Sequence, residues 1–282
     1  MKTALVLEGG ASRVYFSVGV MDVMLENGIA FDMITGASAG IANGVSYASK
    51  QIGRAYRIGV KHSCLPEYMG AKHLLNPKNK SYYNLKYVFD DIPNIHEPFD
   101  YKTFEEFNGD VIAVVTNIKT GKAEYIKVDG SDKKWTAITA SCALPILFKP
   151  IEINGNHYMD GGIADPIPTE FALQNGCDKG IVLLTREKNY VKEPENALKV
   201  AMSMYKKYPK FYNALKIRTE VYNLSREKTL DLERKGKVLV LCPENTEGWK
   251  RTESSPQKIE EFYQHGRKVA LKNLERIKEF IK

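Results

Sequence analysis

The stretch Phe31-Asp-Met-Ile-Thr-Gly-Ala-Ser-Ala-Gly-Ile41 decides how this chain is read. Short apolar residues run into Gly36, and a helix-compatible run from Ala39 to Lys50 overlaps the end of the stretch. The centre, Gly36-Ala37-Ser38-Ala39-Gly40, is a G-x-S-x-G pattern. Such a pattern marks a sharp strand-to-helix turn that pushes a serine out of the backbone. Gly36 and Gly40 fit the turn because bulkier residues would clash with the tight chain and the close helix. A serine held there faces a helix N-terminus, where backbone N–H groups favour a developing negative charge.

Upstream, Thr3 to Leu7 reads as a buried strand that ends in Glu8-Gly9-Gly10-Ala11-Ser12-Arg13. A helix is expected from Val14 to Asn27, stopped by Gly28. Strand, glycine turn and helix form an anion-binding layout. The turn matches neither the dinucleotide fingerprint nor the Walker pattern. An oxyanion hole for an acyl intermediate therefore fits it better than a cofactor phosphate does, and no cofactor is expected.

Downstream, Pro66, Pro77, Pro93 and Pro98 break any long element between residues 53 and 108. Tyr82, Tyr83, Tyr87 and Phe89 in this part read as packing or cleft-lining groups. Strands are expected at Asp110–Ile118 and Ala123–Val128, and a helix at Trp135–Ala143. Ile151 to Asp160 reads as a hairpin turning at Asn154-Gly155, and it ends in Asp160-Gly161-Gly162. A helix from Pro166 to Asn175 and a strand from Gly180 to Leu184 follow. Strands alternating with helices predict a three-layer α/β sandwich around a mostly parallel sheet.

The texture changes after residue 188, where a domain boundary is expected. Residues 189–282 hold 21 Lys/Arg against 13 Asp/Glu, while residues 1–188 hold 20 against 21. The basic excess therefore belongs to the C-terminal region, and an anionic membrane surface is a candidate partner for it. Pro194 to Arg234 reads as a long basic helical run with tyrosines among its lysines. Lys237–Leu241 reads as a strand, and Ser255-Pro256 opens a final helix to Lys282. Ile259, Phe262, Val269, Leu274, Ile277 and Ile281 keep a helical spacing, so one face of that helix is expected to dock.

Four scattered cysteines without C-x-x-C spacing argue against a zinc site or a disulfide framework. No apolar run reaches the length of a membrane span, and Glu8 interrupts the N-terminal apolar run too early for a signal peptide. A cytoplasmic protein, peripheral to the membrane at most, is expected. No nucleic-acid-binding motif accompanies the basic region, and nucleic acid is not expected as a partner.

A serine nucleophile needs a base. Of the five histidines only His265 follows Asp160, and it lies inside the final helix. His157 shares a strand with Asp160, and alternation places the two on opposite faces. Asp160 itself is then the better base. Its ordinary pKa of about 3.9 makes it weak, and partial burial would strengthen it.

The glycine loop Glu8–Arg13, the elbow Gly36–Gly40 and Asp160-Gly161-Gly162, in that order, resemble the patatin-like phospholipase family, and its bacterial branch in particular. Ala140-Ser-Cys-Ala-Leu-Pro145 with Phe148-Lys-Pro150 is similar to the family's segment ahead of its aspartate. The match covers about residues 3 to 185. The resemblance implies a Ser38–Asp160 dyad without histidine, an oxyanion loop of Gly9, Gly10, Ala11 and Arg13, and metal-free hydrolysis of lipid esters of the phospholipase A or lysophospholipase type. Two departures stand out: Ala11 replaces the loop's third glycine, and Val14 the glycine usual after its arginine. A catalytically silent lipid-binding scaffold of the same fold, or an esterase using His265, are the readings set against this one.

Overall fold

The computed structural model describes residues 1–194 and 197–282. Among these, eight strands form one sheet in the order β5-β6-β3-β2-β1-β7-β8, with β4 paired to β3. They are β1 (Thr3–Leu7), β2 (Met33–Ala37), β3 (Asp110–Asn117), β4 (Ala123–Lys127), β5 (Ile151–Ile153), β6 (Asn156–Asp160), β7 (Lys179–Leu183) and β8 (Val238–Leu241). β1, β2, β3, β7 and β8 pair in parallel, β4 and β6 pair antiparallel with β3, and β5 pairs antiparallel with β6.

The described helices are α1 (Tyr15–Glu26), α2 (Ala39–Ala48), α3 (Arg54–Ile58), α4 (Ala71–Leu75), α5 (Tyr101–Glu105), α6 (Thr136–Ser141) and α7 (Thr169–Gln174). The C-terminal region adds α8 (Ala197–Met204), α9 (Pro209–Lys216), α10 (Arg218–Arg234), α11 (Pro256–Lys272) and α12 (Leu274–Phe280).

Side chains alternate across the sheet, as the two-residue period of a strand dictates. Leu5 and Leu7 of β1 point into a large core with α1, α2 and α11, whereas Ala4 and Val6 point into a smaller one with Ile167 and Ala172. The result is the expected three-layer α/β sandwich, with apolar residues on both faces of its parallel strands.

Register sets the functional edge. Leu7 pairs with Gly36 on one side and with Leu183 on the other. The chain therefore leaves β1, β2 and β7 at the same height, and the strand order reverses about β1 there. In open α/β sheets ligands bind at such a reversal, beyond the carboxyl ends of the strands. Across the sheet, Ala37 pairs with Val114, and the next residue of β3, Val115, pairs with Asp160. Ser38 and Asp160 thus leave the sheet at one edge, although 122 positions separate their numbers.

The basic helical run over 194–234 holds three helices, α8, α9 and α10, within the described residues; positions 195 and 196 lie outside them, and two other expectations need correction. Pro209 starts α9 at its first turn, where its missing N–H costs nothing. The final helix is broken at Asn273, whose amide side chain donates to Val269 O at 2.8 Å. In the proline-rich part, Pro93 lies within a ten-residue wide helical segment over Tyr87–His96 instead of ending it.

α11 carries the docking face. Ser255 caps it by accepting from Lys258 N, with Pro256 in the first turn. Ile259 and Phe262 are fully buried against α1, each burial worth about 1.5–3 kcal/mol. The two helices cross at glycines. A Cβ on Gly19 would stand 2.0 Å from Tyr263 O, and one on Gly266 would stand 1.9 Å from Phe16 O. No side-chain adjustment relieves a clash with backbone, so Gly266→Ala must separate the helices. We expect it to lower unfolding stability by at least about 1–3 kcal/mol, the cost of overpacking. Denaturant unfolding with an unchanged midpoint would contradict this crossing.

Candidate active site

Ser38 follows β2 and precedes α2, with φ 54° and ψ −135°. This backbone conformation is strained for a residue with a side chain, by about 1–3 kcal/mol. The neighbouring glycines hold it. A Cβ on Gly36 would lie 2.6 Å from Leu7 O, one on Gly40 2.7 Å from Glu8 O, and one on Gly9 2.9 Å from Ala37 O. The end of β1 and the serine turn are therefore in backbone contact, and only glycine permits it. Ser38 N–H donates to Ser141 Oγ at 2.9 Å, which fixes the turn to the C-terminal end of α6.

Asp160 ends β6 and is 2% exposed. Its N–H donates to Ala143 O at 2.9 Å, and its carbonyl accepts from Thr116 Oγ1 at 2.8 Å. Oδ1 accepts from Gly162 N–H at 2.8 Å. Oδ2 is buried and has no closed hydrogen bond among the described residues. The Ser38 hydroxyl stands close enough to interact with this carboxyl. Burial pushes the Asp160 carboxyl above its ordinary value; the Arg218 guanidinium, the Ser38 hydroxyl, the Gly162 amide and Arg251 pull it back. Cys142 lines a cleft with Ser38, and burial drives its thiol far up, so it stays protonated.

The glycine loop lies beside the serine. Gly9, Gly10, Ala11 and Arg13 line a cleft together with Ser38 and Asp160. Ala11 has φ 49°, a conformation that suits glycine, so the departure at this position is absorbed as local strain. Val14 has φ −63° and ψ −14°, where valine is unstrained, and it is buried. The loop needs no glycine there. The loop is also braced from the C-terminal region: Ser12 N–H donates to Arg251 O at 2.9 Å, and Glu253 N–H donates to Ser12 Oγ at 3.0 Å.

Two clefts meet at Ser38 and share Ala11 and Leu144. One, of about 710 Å³, is lined by Tyr15, Tyr68, Tyr83, Phe89 and Phe148 among others, and among the described residues no charged one lines it. The other, of about 660 Å³, is lined by Arg13, Lys192, Arg218 and Arg251, with Glu8 and Asp160 as its carboxyls. Burial, Arg186 and Arg251 together lower the proton affinity of Arg13. Glu8 is buried and committed: it accepts from Thr185 N–H and from the Tyr222 hydroxyl, with Arg226 3.9 Å away.

Sequence reasoning named Ser38, Asp160, Gly9, Gly10, Ala11 and Arg13, and all of them line the polar cleft, while Gly36 and Gly40 flank the turn. Ser141, Lys192, Arg218, Tyr222 and Arg251 were not named as site residues; Ser141 lay in the quoted segment Ala140–Pro145, and the signal for the three cations was the basic balance beyond residue 188. His265 lines neither cleft; its ring packs between Phe16 and Trp249, and its Nε2 accepts from Glu244 N–H. Burial lowers its pKa. Among the described residues, no group of three or more His, Cys, Asp or Glu is placed to hold a metal.

A model of the patatin-like phospholipase family matches residues 5–173, and the chain belongs to that family. A second model, a domain of unknown function (DUF6363), matches residues 208–282. The lysophospholipase nte1 of Aspergillus terreus is 30% identical over 179 residues, covering 62% of this chain and 11% of that protein. The uncharacterized protein YjjU of Escherichia coli K12 is 25% identical over 198 residues, covering 65% of this chain and 52% of its own. The chain thus spans about a tenth of the fungal relative and about half of the bacterial one. The crystal structure of VipD from Legionella pneumophila aligns with a TM-score of 0.52 at 13% identity, over 98% of this chain and 67% of that one. That likeness concerns the fold.

Proposed function

We propose that this protein is a serine acyl hydrolase acting on carboxylic esters of lipids, with Ser38 as nucleophile and Asp160 as base. One observation carries the reading: Asp160 Oδ2 is buried without a closed hydrogen bond, beside the hydroxyl of a serine held at a strained turn. Membership of the patatin-like phospholipase family and the likeness to lysophospholipases support the lipid substrate. The uncharged cleft with its aromatic lining has the character an acyl chain requires.

In the proposed reaction, Ser38 Oγ attacks the ester carbonyl and its proton passes to Asp160. Ser12 and Arg13 amides are used by Arg251 O and Gly10 O, so the loop's oxyanion donors are the amides of Gly9, Gly10 and Ala11. The intermediate collapses, and the leaving alkoxide takes the proton from Asp160. Water then gives a proton to Asp160 and attacks the acyl-serine, and that proton returns to Ser38 as the acid departs. No metal enters any step.

Ser38→Ala and Asp160→Asn should each lower kcat/KM for a short-chain ester by about 10⁴-fold or more, and the double variant should be no slower than the worse single one. A double variant showing the product of the two losses would separate the residues.

Asp160 must be ionised to accept the proton. Its carboxyl is raised in the folded protein, so kcat/KM should fall on acidification from a point above the ordinary value of about 3.9. A pH profile flat down to pH 4 would exclude Asp160 as the base.

The exposed lysines Lys206, Lys207, Lys210 and Lys216 are the proposed contact with an anionic membrane surface. Of the tyrosines in the same run, Tyr205 and Tyr222 are buried in the protein and take no part in such a contact. Among the described residues no helix is long and apolar enough to cross a membrane. Co-sedimentation with anionic vesicles should weaken as salt rises, since charges are screened within about 10 Å at 0.1 M. Equal binding to neutral vesicles, unmoved by salt, would make the lysines a solvated face.

A further inference from the structure

We propose that the loop over residues 70–80 is an interfacial anchor: its leucines enter an anionic lipid surface and seat the mouth of the uncharged cleft on it. The inference rests on the reading of Ser38 as a nucleophile toward lipid esters, and it gives that reading a docking surface.

A long acyl chain is poorly soluble in water, so an ester that carries one reaches Ser38 from a lipid surface. The loop stands where that transfer must occur. Tyr68, Met69 and Tyr83 line the uncharged cleft together with Ser38. Met69 and Tyr83 also pair as an antiparallel bridge, and Gly70 N–H donates to Tyr82 O at 2.9 Å. Both ends of the loop therefore spring from the cleft wall, and most residues between them are exposed.

Hydrogen bonds brace the loop from within. Asn79 Nδ2 donates to Ser81 O and to Tyr83 O, both at 2.8 Å, and its Oδ1 accepts from Leu85 N–H at 2.8 Å. Ser81 Oγ donates to Leu147 O at 2.9 Å, which ties the neck of the loop to the chain ahead of Phe148. On α4, His73 is buried, and its Nε2 donates to Pro66 O at 2.9 Å. With His73 turned inward, Leu74 and Leu75 are turned outward, 38% and 86% exposed. A single exposed leucine is ordinary. A pair held in water by a braced loop, at the rim of an apolar cleft, is the mark of a contact surface.

Charge decides what that surface meets. Residues 68–89 hold Lys72, Lys78, Lys80 and Lys86 and no Asp or Glu. Lys72, Lys78 and Lys80 are exposed on the same loop as the leucines. Apolar tips among lysines suit the headgroup layer of an anionic membrane, where lysine stems follow the apolar surface and their charges stay with the phosphates. Ala201 of α8 and Phe211 of α9 share an apolar cluster with Tyr83 and Phe148, so the basic helices pack on the same wall. The two contacts differ in kind. The lysines near α9 act by charge, which salt screens, whereas the leucines act by burial, which salt leaves in place.

Binding is measured apart from hydrolysis, with Ser38→Ala as the parent and vesicles of phosphatidylglycerol and phosphatidylcholine as the probe. Leu74→Ser combined with Leu75→Ser should weaken co-sedimentation by about tenfold or more. That loss should persist in about 0.5 M salt. Lys72→Gln combined with Lys78→Gln should weaken binding several-fold at low salt only. The emission of Leu75→Trp should be quenched by lipid brominated on its acyl chains, beyond any quenching of the parent. In the chain that keeps Ser38, the leucine variant should hold kcat/KM for a soluble short-chain ester within about twofold. Vesicle binding unmoved in the leucine variant, or Leu75→Trp unquenched, overturns the anchor and leaves the hydrolase standing. A dimer in analytical ultracentrifugation that the leucine variant dissolves would give the face to a second copy and overturn the anchor as well. No hydrolysis of the soluble ester by wild type removes the hydrolase instead, and the vesicle measurements on Ser38→Ala still decide the anchor.

Discussion

Everything at this site depends on how closely β1 and the serine turn approach each other. Leu7 O and Glu8 O lie where a Cβ on Gly36 or Gly40 would stand, and Ala37 O lies where one on Gly9 would stand. Backbone meets backbone, so the distance between the glycine loop and the serine is set by main-chain geometry. Side chains repack when a neighbour changes, whereas a main chain held in a sheet does not. The same contact keeps Ser38 at a positive φ that would relax elsewhere. A site built this way is rigid before any ligand arrives, which is the condition for electrostatic preorganisation.

The second constraint is the burial of Glu8. A carboxylate in the interior is tolerated only when its acceptors are used. Here the partners come from two directions: Thr185 after β7, and Tyr222 with Arg226 on α10. Glu8 immediately follows β1, so the residue that starts the glycine loop is also the one that anchors α10. Loss of α10 would leave a buried charge without its hydroxyl and guanidinium, directly beside the loop. The C-terminal region is thus joined to the site through an electrostatic requirement, and β8 joins it to the sheet as an edge strand.

The strands and the turn were legible in the sequence because their signals are local. Short runs of mostly apolar residues that lead into a glycine turn, such as 3–7 and 33–37, admit few other structures. Asn154-Gly155 specified its hairpin through two positive φ angles, 50° and 75°. The glycine loop, Ser38 and Asp160 could be named for the same reason, since each sits at the end of a readable strand. The cationic wall could not. Arg218 and Arg251 lie on segments whose local pattern is that of an ordinary basic surface, and only the tertiary fold turns them inward. Tyr222 illustrates the ambiguity: an amphipathic ring suits a membrane interface or a buried carboxylate equally well, and Glu8 decides between them. The breaks at Ile217 and Asn273 were equally hidden, because neither is marked by proline or glycine.

Arg218 and Arg251 also bear on Asp160, the proposed base. Burial raises the Asp160 carboxyl, which strengthens it as a proton acceptor but threatens to leave it protonated. Arg218 and Arg251 act in the opposite sense and favour the ionised form. A general base works best when its pKa lies below the working pH but not far below it. Arg218 and Arg251 thus offset part of the effect of burial by charge, while Oδ2 stays outside any closed hydrogen bond among the described residues.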